Sequence, residues 1–298
     1  MHLGYVQKLN KYYRKMEESM RIQYHYCLEN KWGLEKFLNT NEISYEKTDE
    51  WLEGDSLLIF DLYEDEKVYT KFKIHFPYVA MLDADKSVVY SKEDIQNAEW
   101  LTVRSKGTKV QWIYNEKAFN QQCPYKRIFI KDIYYRHLQQ TDILEATKRV
   151  HWGRRQYFSG PATGDTFLFC SERAKSLLNK KWAGLSFYPV KKYRTQKMID
   201  DLYQLYFSEV LSVNAICGGK KIICRGCGRE LVYISSMVQM LHIDRQHLKD
   251  TQMVYTTGEV LTMDSIHNET FSLYVVPQEF YQFCERYEMN RGMVYEPI

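Results

Sequence analysis

Proline and glycine are scarce, together only 20 of 298 positions, which leaves no room for long disordered linkers. There is no run of eighteen apolar residues, and charges are scattered through the first thirty positions. Neither a membrane span nor a signal peptide is therefore expected, and the cytosol is the expected compartment. A disulfide framework is missing as well. The seven cysteines (Cys27, Cys123, Cys170, Cys217, Cys224, Cys227 and Cys284) are odd in number and scattered. The formal charge of +3 is too mild to argue for nucleic acid by itself. No GxSxG elbow, phosphate-binding GxxxxGK loop, GxGxxG turn or HExxH helix occurs, so the familiar catalytic classes have no foothold.

What is present is apolar bulk. Apolar residues make up 45% of the chain, enough for a large core without crosslinks, and the length suits two or three subdomains. Tyrosine is abundant at 25 copies, and its apolar ring with a polar tip suits protein interfaces.

From Tyr5 to Leu28 the spacing of Val6, Leu9, Tyr13, Met16, Met20 and Cys27 predicts an amphipathic helix, with a short second helix over Gly33 to Leu38. Leu57–Tyr63 with Val68–Phe76, and Val79–Leu82 with Ser87–Tyr90, predict two hairpins. A third strand pair is expected at Trp100–Arg104 and Val110–Tyr114. The α+β reading that follows has three parts. Residues 1–120 form a helical arm and antiparallel meander, 121–195 a first strand-helix-strand unit, and 196–298 a second, related unit.

Two echoes motivate the last two parts. Residues 136–150 share His137/His247, Leu138/Leu248, Thr141/Thr251, Thr147/Thr257 and Val150/Val260 with residues 246–260. The stretch from Phe167 likewise matches the stretch from Leu273, with Gly184 against Gly292 and Pro189 against Pro297. Ser171 is expected to cap a helix that Gly184 ends, and Pro277 and Gly292 punctuate the second copy in the same way. Between the copies, Met198, Ile199, Leu202, Tyr206 and Val210 favour a helix over strand.

The sharpest chemical signal is Cys224-Arg-Gly-Cys227-Gly228, half of a zinc knuckle. Cys217, Cys123, Cys284, His242 and His247 could supply further ligands, none at diagnostic spacing. Thiols without metal are the equal alternative, and a redox pair is disfavoured because no helix starts at the pair. Lys148, Arg149, Arg154 and Arg155, interleaved with His151, Trp152 and Tyr157, could serve phosphate contact and stacking or anchor a protein interface. Lys220, Lys221, Arg225 and Arg229 form a second basic cluster. Most such clusters are solvated faces. The loop Ser159–Asp165 lacks the lysine of a phosphate cradle, and Asp83/Asp85 and Asp200/Asp201 read as solvated pairs. An enzyme would need His137, His247, Cys170 or Cys284 to converge in a pocket.

The CxxCG turn at Cys224–Gly228, the strand-like Leu231–Ile234, and a later strand, helix and terminal Gly-x-x-aromatic-x-Pro resemble the double-CXXCG immunity proteins of bacterial polymorphic toxin systems, over roughly the last 175 residues. The resemblance implies a cytoplasmic protein that is not an enzyme and that binds and neutralises a cognate toxin by occlusion, without membrane contact. It also implies a possible zinc at Cys224 and Cys227, with Cys217 and Cys123 as further ligands. Cys123-Pro-Tyr-Lys126-Arg127 departs from the pattern, because Lys126 and Arg127 stand where the second cysteine and the glycine belong. Arg149, Trp152, Arg154 and Arg155 are the expected partner-binding residues. A zinc-knuckle nucleic-acid-binding protein is the alternative.

Overall fold

The computed structural model describes residues 21–48, 56–80, 85–106, 109–113, 118–121, 138–154, 156–160, 167–224, 227–234, 242–248, 250–258, 261–263 and 270–298. The chain is α+β, as expected, and divides into two compact units, Met1–Asp94 and Ile95–Ile298, so the boundary falls well before residue 120.

In the first unit, strand β1 (Arg21–Glu29) replaces the end of the expected helix, and residues 5–20 lie outside the described residues. Tyr24 and Tyr26 are buried while His25 and Cys27 are exposed, a period of two that the wider spacing of the apolar residues concealed. Helix α1 (Leu34–Thr40) follows Gly33, which takes φ 77 as glycine readily does. Strands β2 (Tyr45–Thr48) and β3 (Leu57–Tyr63) come next. Val68–Phe76, expected as a strand, is helix α2 (Lys67–His75), because Tyr69, Phe72 and Phe76 bury one side at spacings of three and four. The turn α3 (Pro77–Ala80) stands where Val79 was expected to begin a strand, and β4 (Asp85–Val89) ends the set.

The sheet order is β2-β3-β1-β4, every neighbour antiparallel. Strands β3 and β4 are therefore parallel with β1 between them, and β1 and β2 are parallel with β3 between them. Two interleaved split β-α-β units result, the topology of ferredoxin-like folds. Phe72 is the hub of the core, with ring centroids 5.0 Å from Tyr26 and 5.7 Å from Phe60. Fully burying one such ring is worth roughly 1.5–3 kcal/mol.

Helix α4 (Lys92–Asn97) spans the division in sequence. The second unit continues with β5 (Trp100–Ser105), β6 (Trp112–Ile113), β7 (Phe119–Gln121), β8 (Leu138–Gln140), β9 (Glu145–Ala146) and β10 (Phe158–Ser159). Next come β11 (Leu168–Cys170), α5 (Glu172–Leu178), β12 (Leu185–Lys192), β13 (Met198–Phe207), β14 (Glu209–Val210) and β15 (Ile216–Cys217). The remainder is β16 (Lys220–Ile223), β17 (Glu230–Ile234), β18 (His242–Ile243), β19 (Tyr255–Thr256), β20 (Leu261–Met263), β21 (Thr270–Phe271), β22 (Tyr274–Pro277), α6 (Gln278–Arg286) and β23 (Met293–Pro297). The expected third hairpin does not form: β5 lies between β22 and β23, and β6 lies beside β9.

The two strand-helix-strand stretches match in register. Strands β11 and β12 flank β13, with Leu168 opposite Leu205 and Leu185 opposite Phe207. Strands β22 and β23 flank β5, with Tyr274 opposite Val103 and Met293 opposite Ser105. Both are split β-α-β units whose middle strand comes from elsewhere in the chain. Ser171 and Pro277 are the equivalent helix N-caps, and Ala174/Phe280 and Leu178/Cys284 are the buried helix positions. These side chains share one core with Trp182, Phe158 and Val254.

Gly184 and Gly292 close the two units at φ 78 and 94, and each accepts a backbone hydrogen bond from the residue after its middle strand, Ser208 and Lys106. A Cβ at Gly184 would lie 2.7 Å from the Val254 carbonyl oxygen, and one at Gly292 would lie 2.8 Å from that of Phe158. Each unit thus seats its glycine against the strand that flanks the other.

The earlier echo pairs different elements. Its strands β9 and β19 coincide in sequence, but β9 runs parallel to β12 whereas β19 runs antiparallel to β22. The place equivalent to β19 is filled by β10. The expected helix across Met198–Val210 is strand β13. From Pro189 to Lys191, β12 advances two residues while β13 covers five, from Tyr203 to Met198. This bulge puts Asp201 at φ 60 and breaks the alternation, so Ile199 and Leu202 are both buried at a helix-like spacing.

Candidate functional site

Cys224, Cys227 and Gly228 lie in the connection between two paired strands. Strands β16 and β17 pair antiparallel, the Cys224 N–H donates to the Arg229 carbonyl at 2.9 Å, and the Gly228 N–H donates to the Cys224 carbonyl at 2.8 Å. Gly228 supplies φ 74. Cys224 is buried against Leu231 and Ile222, whereas Cys227 is exposed. Cys217 sits on β15, paired with β18, and Cys123 lies outside the described residues. Among the described residues no three His, Cys, Asp or Glu side chains are placed to hold a metal ion. Fewer than the four ligands of a structural zinc centre are therefore assembled among the described residues.

Neither buried cysteine among the nucleophile candidates is poised to react. Cys170 and Cys284 are both buried in the core shared by α5 and α6. Burial pushes the Cys284 thiol up to about 12 and the Cys170 thiol well above its ordinary value, so both stay protonated and unreactive. His247 is exposed on a short 3-10 turn, and His137 lies outside the described residues. Asp201 is committed to structure, its carboxylate accepting the Glu172 N–H at 2.7 Å. No helix among the described residues is long and apolar enough to cross a membrane.

The basic cluster acquires neighbours that sequence proximity did not reveal. Strand β9 runs beside the end of β12, where the Tyr193 N–H donates to the Ala146 carbonyl at 2.9 Å. Six residues later, the Trp152 Nε1–H donates to the carbonyl of the bulged Asp201 at 2.8 Å. Such a bond is worth only about 0.5–1.5 kcal/mol net, so its main effect is to orient the indole. The segment carrying Lys148 and Arg149 is thus tied to β12 at one end and to β13 at the other. The tip of the β12–β13 hairpin adds exposed Lys192, Tyr193, Arg194, Lys197 and Met198, the last 53% accessible.

Lys148, Arg149, Lys192, Arg194 and Lys197 have no acidic partner among the described residues. Glu145, beneath the tip, is buried and accepts from Gln196 Nε2 at 2.9 Å. Arg154 lies by the loop before β23, its backbone carbonyl accepting from Arg291 Nη1 at 3.0 Å. Arg155 lies outside the described residues. The hairpin cations went unread although the sequence carries them as the basic run Lys191–Lys197, and only the parallel pairing of β9 with β12 sets that run beside the segment of Lys148 and Arg149. In the second cluster, Lys221 Nζ donates to Asn214 Oδ1 at 2.7 Å, and Arg225 lies outside the described residues.

The chain matches no family model, no curated protein and no solved structure.

Proposed function

We propose that the chain is an immunity protein that binds a protein toxin and blocks its active site or the access of its substrate. The observation that carries this reading is the ledge at the β12–β13 tip, where Tyr193 (41% accessible) and Met198 stand in solvent on a hairpin whose bulged Asp201 holds the Trp152 indole. Exposed aromatic and apolar side chains on a rigid support are what a protein interface uses as anchors, because little side-chain freedom is lost on binding. An occluding contact of this kind covers about 1,600 Å² in total.

The cations that have no acidic partner among the described residues favour a second reading, a nucleic-acid-binding protein in which the aromatic rings stack on bases. Salt separates the two, since binding dominated by phosphate contacts weakens steeply as salt rises. The direct test is to purify the tagged chain from its native cells and titrate it against any protein that accompanies it. The proposal expects the activity of that protein to fall to near zero at equimolar chain. Recovery of RNA alone, or a companion whose activity is unchanged, would overturn it.

A further inference from the structure

We propose that the ledge formed by Lys148, Arg149, Lys192, Arg194 and Lys197 around Tyr193 and Met198 docks an acidic face of a protein partner. This rests on the partner-binding reading above and assigns its surface. Charge complementarity names the partner's chemistry: five exposed cations lie on two chain segments that pair side by side at Ala146 and Tyr193, none paired with an acid among the described residues.

The shape of the patch selects protein over nucleic acid. Acids bracket it, with Asp142 3.7 Å from Lys191 at one side and exposed Asp200 on β13 at the other. A polynucleotide needs a continuous basic track and would run into these carboxylates, whereas a finite acidic patch on a folded protein does not. Tyr193 and Met198, in the middle of the cations, supply the apolar contact that charges alone lack.

The test uses the full chain and two probes of equal formal charge, an acidic peptide alternating glutamate with leucine and a single-stranded oligonucleotide. Fluorescence anisotropy at physiological salt should show the peptide bound more tightly. The triple variant Lys192→Glu, Arg194→Glu, Lys197→Glu should weaken it by about tenfold or more, and Tyr193→Ala by several fold. Reversing Lys220 and Lys221 on β16 should leave binding unchanged. An unaltered melting temperature certifies each variant, and Lys148→Ala with Arg149→Ala replaces the triple variant if that one misfolds. Preference for the oligonucleotide, equal binding of both probes, or indifference to the ledge variants overturns the assignment. A co-purifying protein that holds the triple variant as tightly as the parent removes the ledge and leaves the partner-binding reading intact. Absence of any protein companion removes the reading itself.

Discussion

Cys284 and Tyr295 share the core beneath α6, and burial raises both above their ordinary values of 9.0 and 10.0, the thiol to about 12. A raised acid binds its proton more tightly in the folded chain. Its contribution is therefore complete below pH 9 and is lost as pH rises toward 12. Melting temperatures measured from neutral pH upward should fall from about pH 9, and Cys284→Ala should flatten the first part of that decline. The same burial predicts that a thiol reagent modifies exposed Cys27, Cys217 and Cys227 in the native protein but reaches Cys170 and Cys284 only once it is unfolded. In the knuckle, Cys224→Ser places a hydroxyl against Leu231 and Ile222, at a cost of about 1–3 kcal/mol, while Cys227→Ser at the surface costs far less. Thermal melts with and without chelator check this. Equal losses for both variants together with chelator sensitivity would show a metal centre instead.

Among the elements, the paired glycines give the sharpest expectation. Alanine at Gly184 or Gly292 meets both the positive φ and a carbonyl oxygen within 2.8 Å, and each should cost about 2–4 kcal/mol. Alanine at Gly33 or Gly228 meets only the backbone strain, nothing among the described residues lying within 4 Å, and should cost about 1 kcal/mol. Denaturant titrations of the four variants test the contrast. Ser171 and Pro277 were legible because capping is a local demand that names its residue, whereas the helices end at Leu178 and Arg286, C-capped by Asn179 and Tyr287, so Gly184 and Gly292 do not end them but take positive φ in the turns into β12 and β23. The bulge in β13 was not legible, since it mimics helical spacing while its cause, the pairing with β12, lies outside the segment. Nor was α2, whose alternating Val68, Thr70, Phe72 and Ile74 also satisfy a strand pattern until Tyr69 and Phe76 are seen packing with Phe72. The ledge was half legible, with Lys148, Arg149 and Trp152 read from one segment and the hairpin cations supplied by topology.

At the scale of the molecule, the division at Asp94 makes truncation informative. A fragment 95–298 keeps β5 between β22 and β23 and should unfold cooperatively, whereas 121–298 loses that middle strand and should not fold. Circular dichroism melts of the two fragments decide the point, and comparable cooperative transitions in both would contradict the topology. The position of β5 also bears on synthesis. It leaves the ribosome roughly 170 residues before the strands that will cover its two sides, so while translation continues its edges remain open to chance pairing with other nascent chains. The order of manufacture thus leaves this unit's sheet incomplete until β23 has been made.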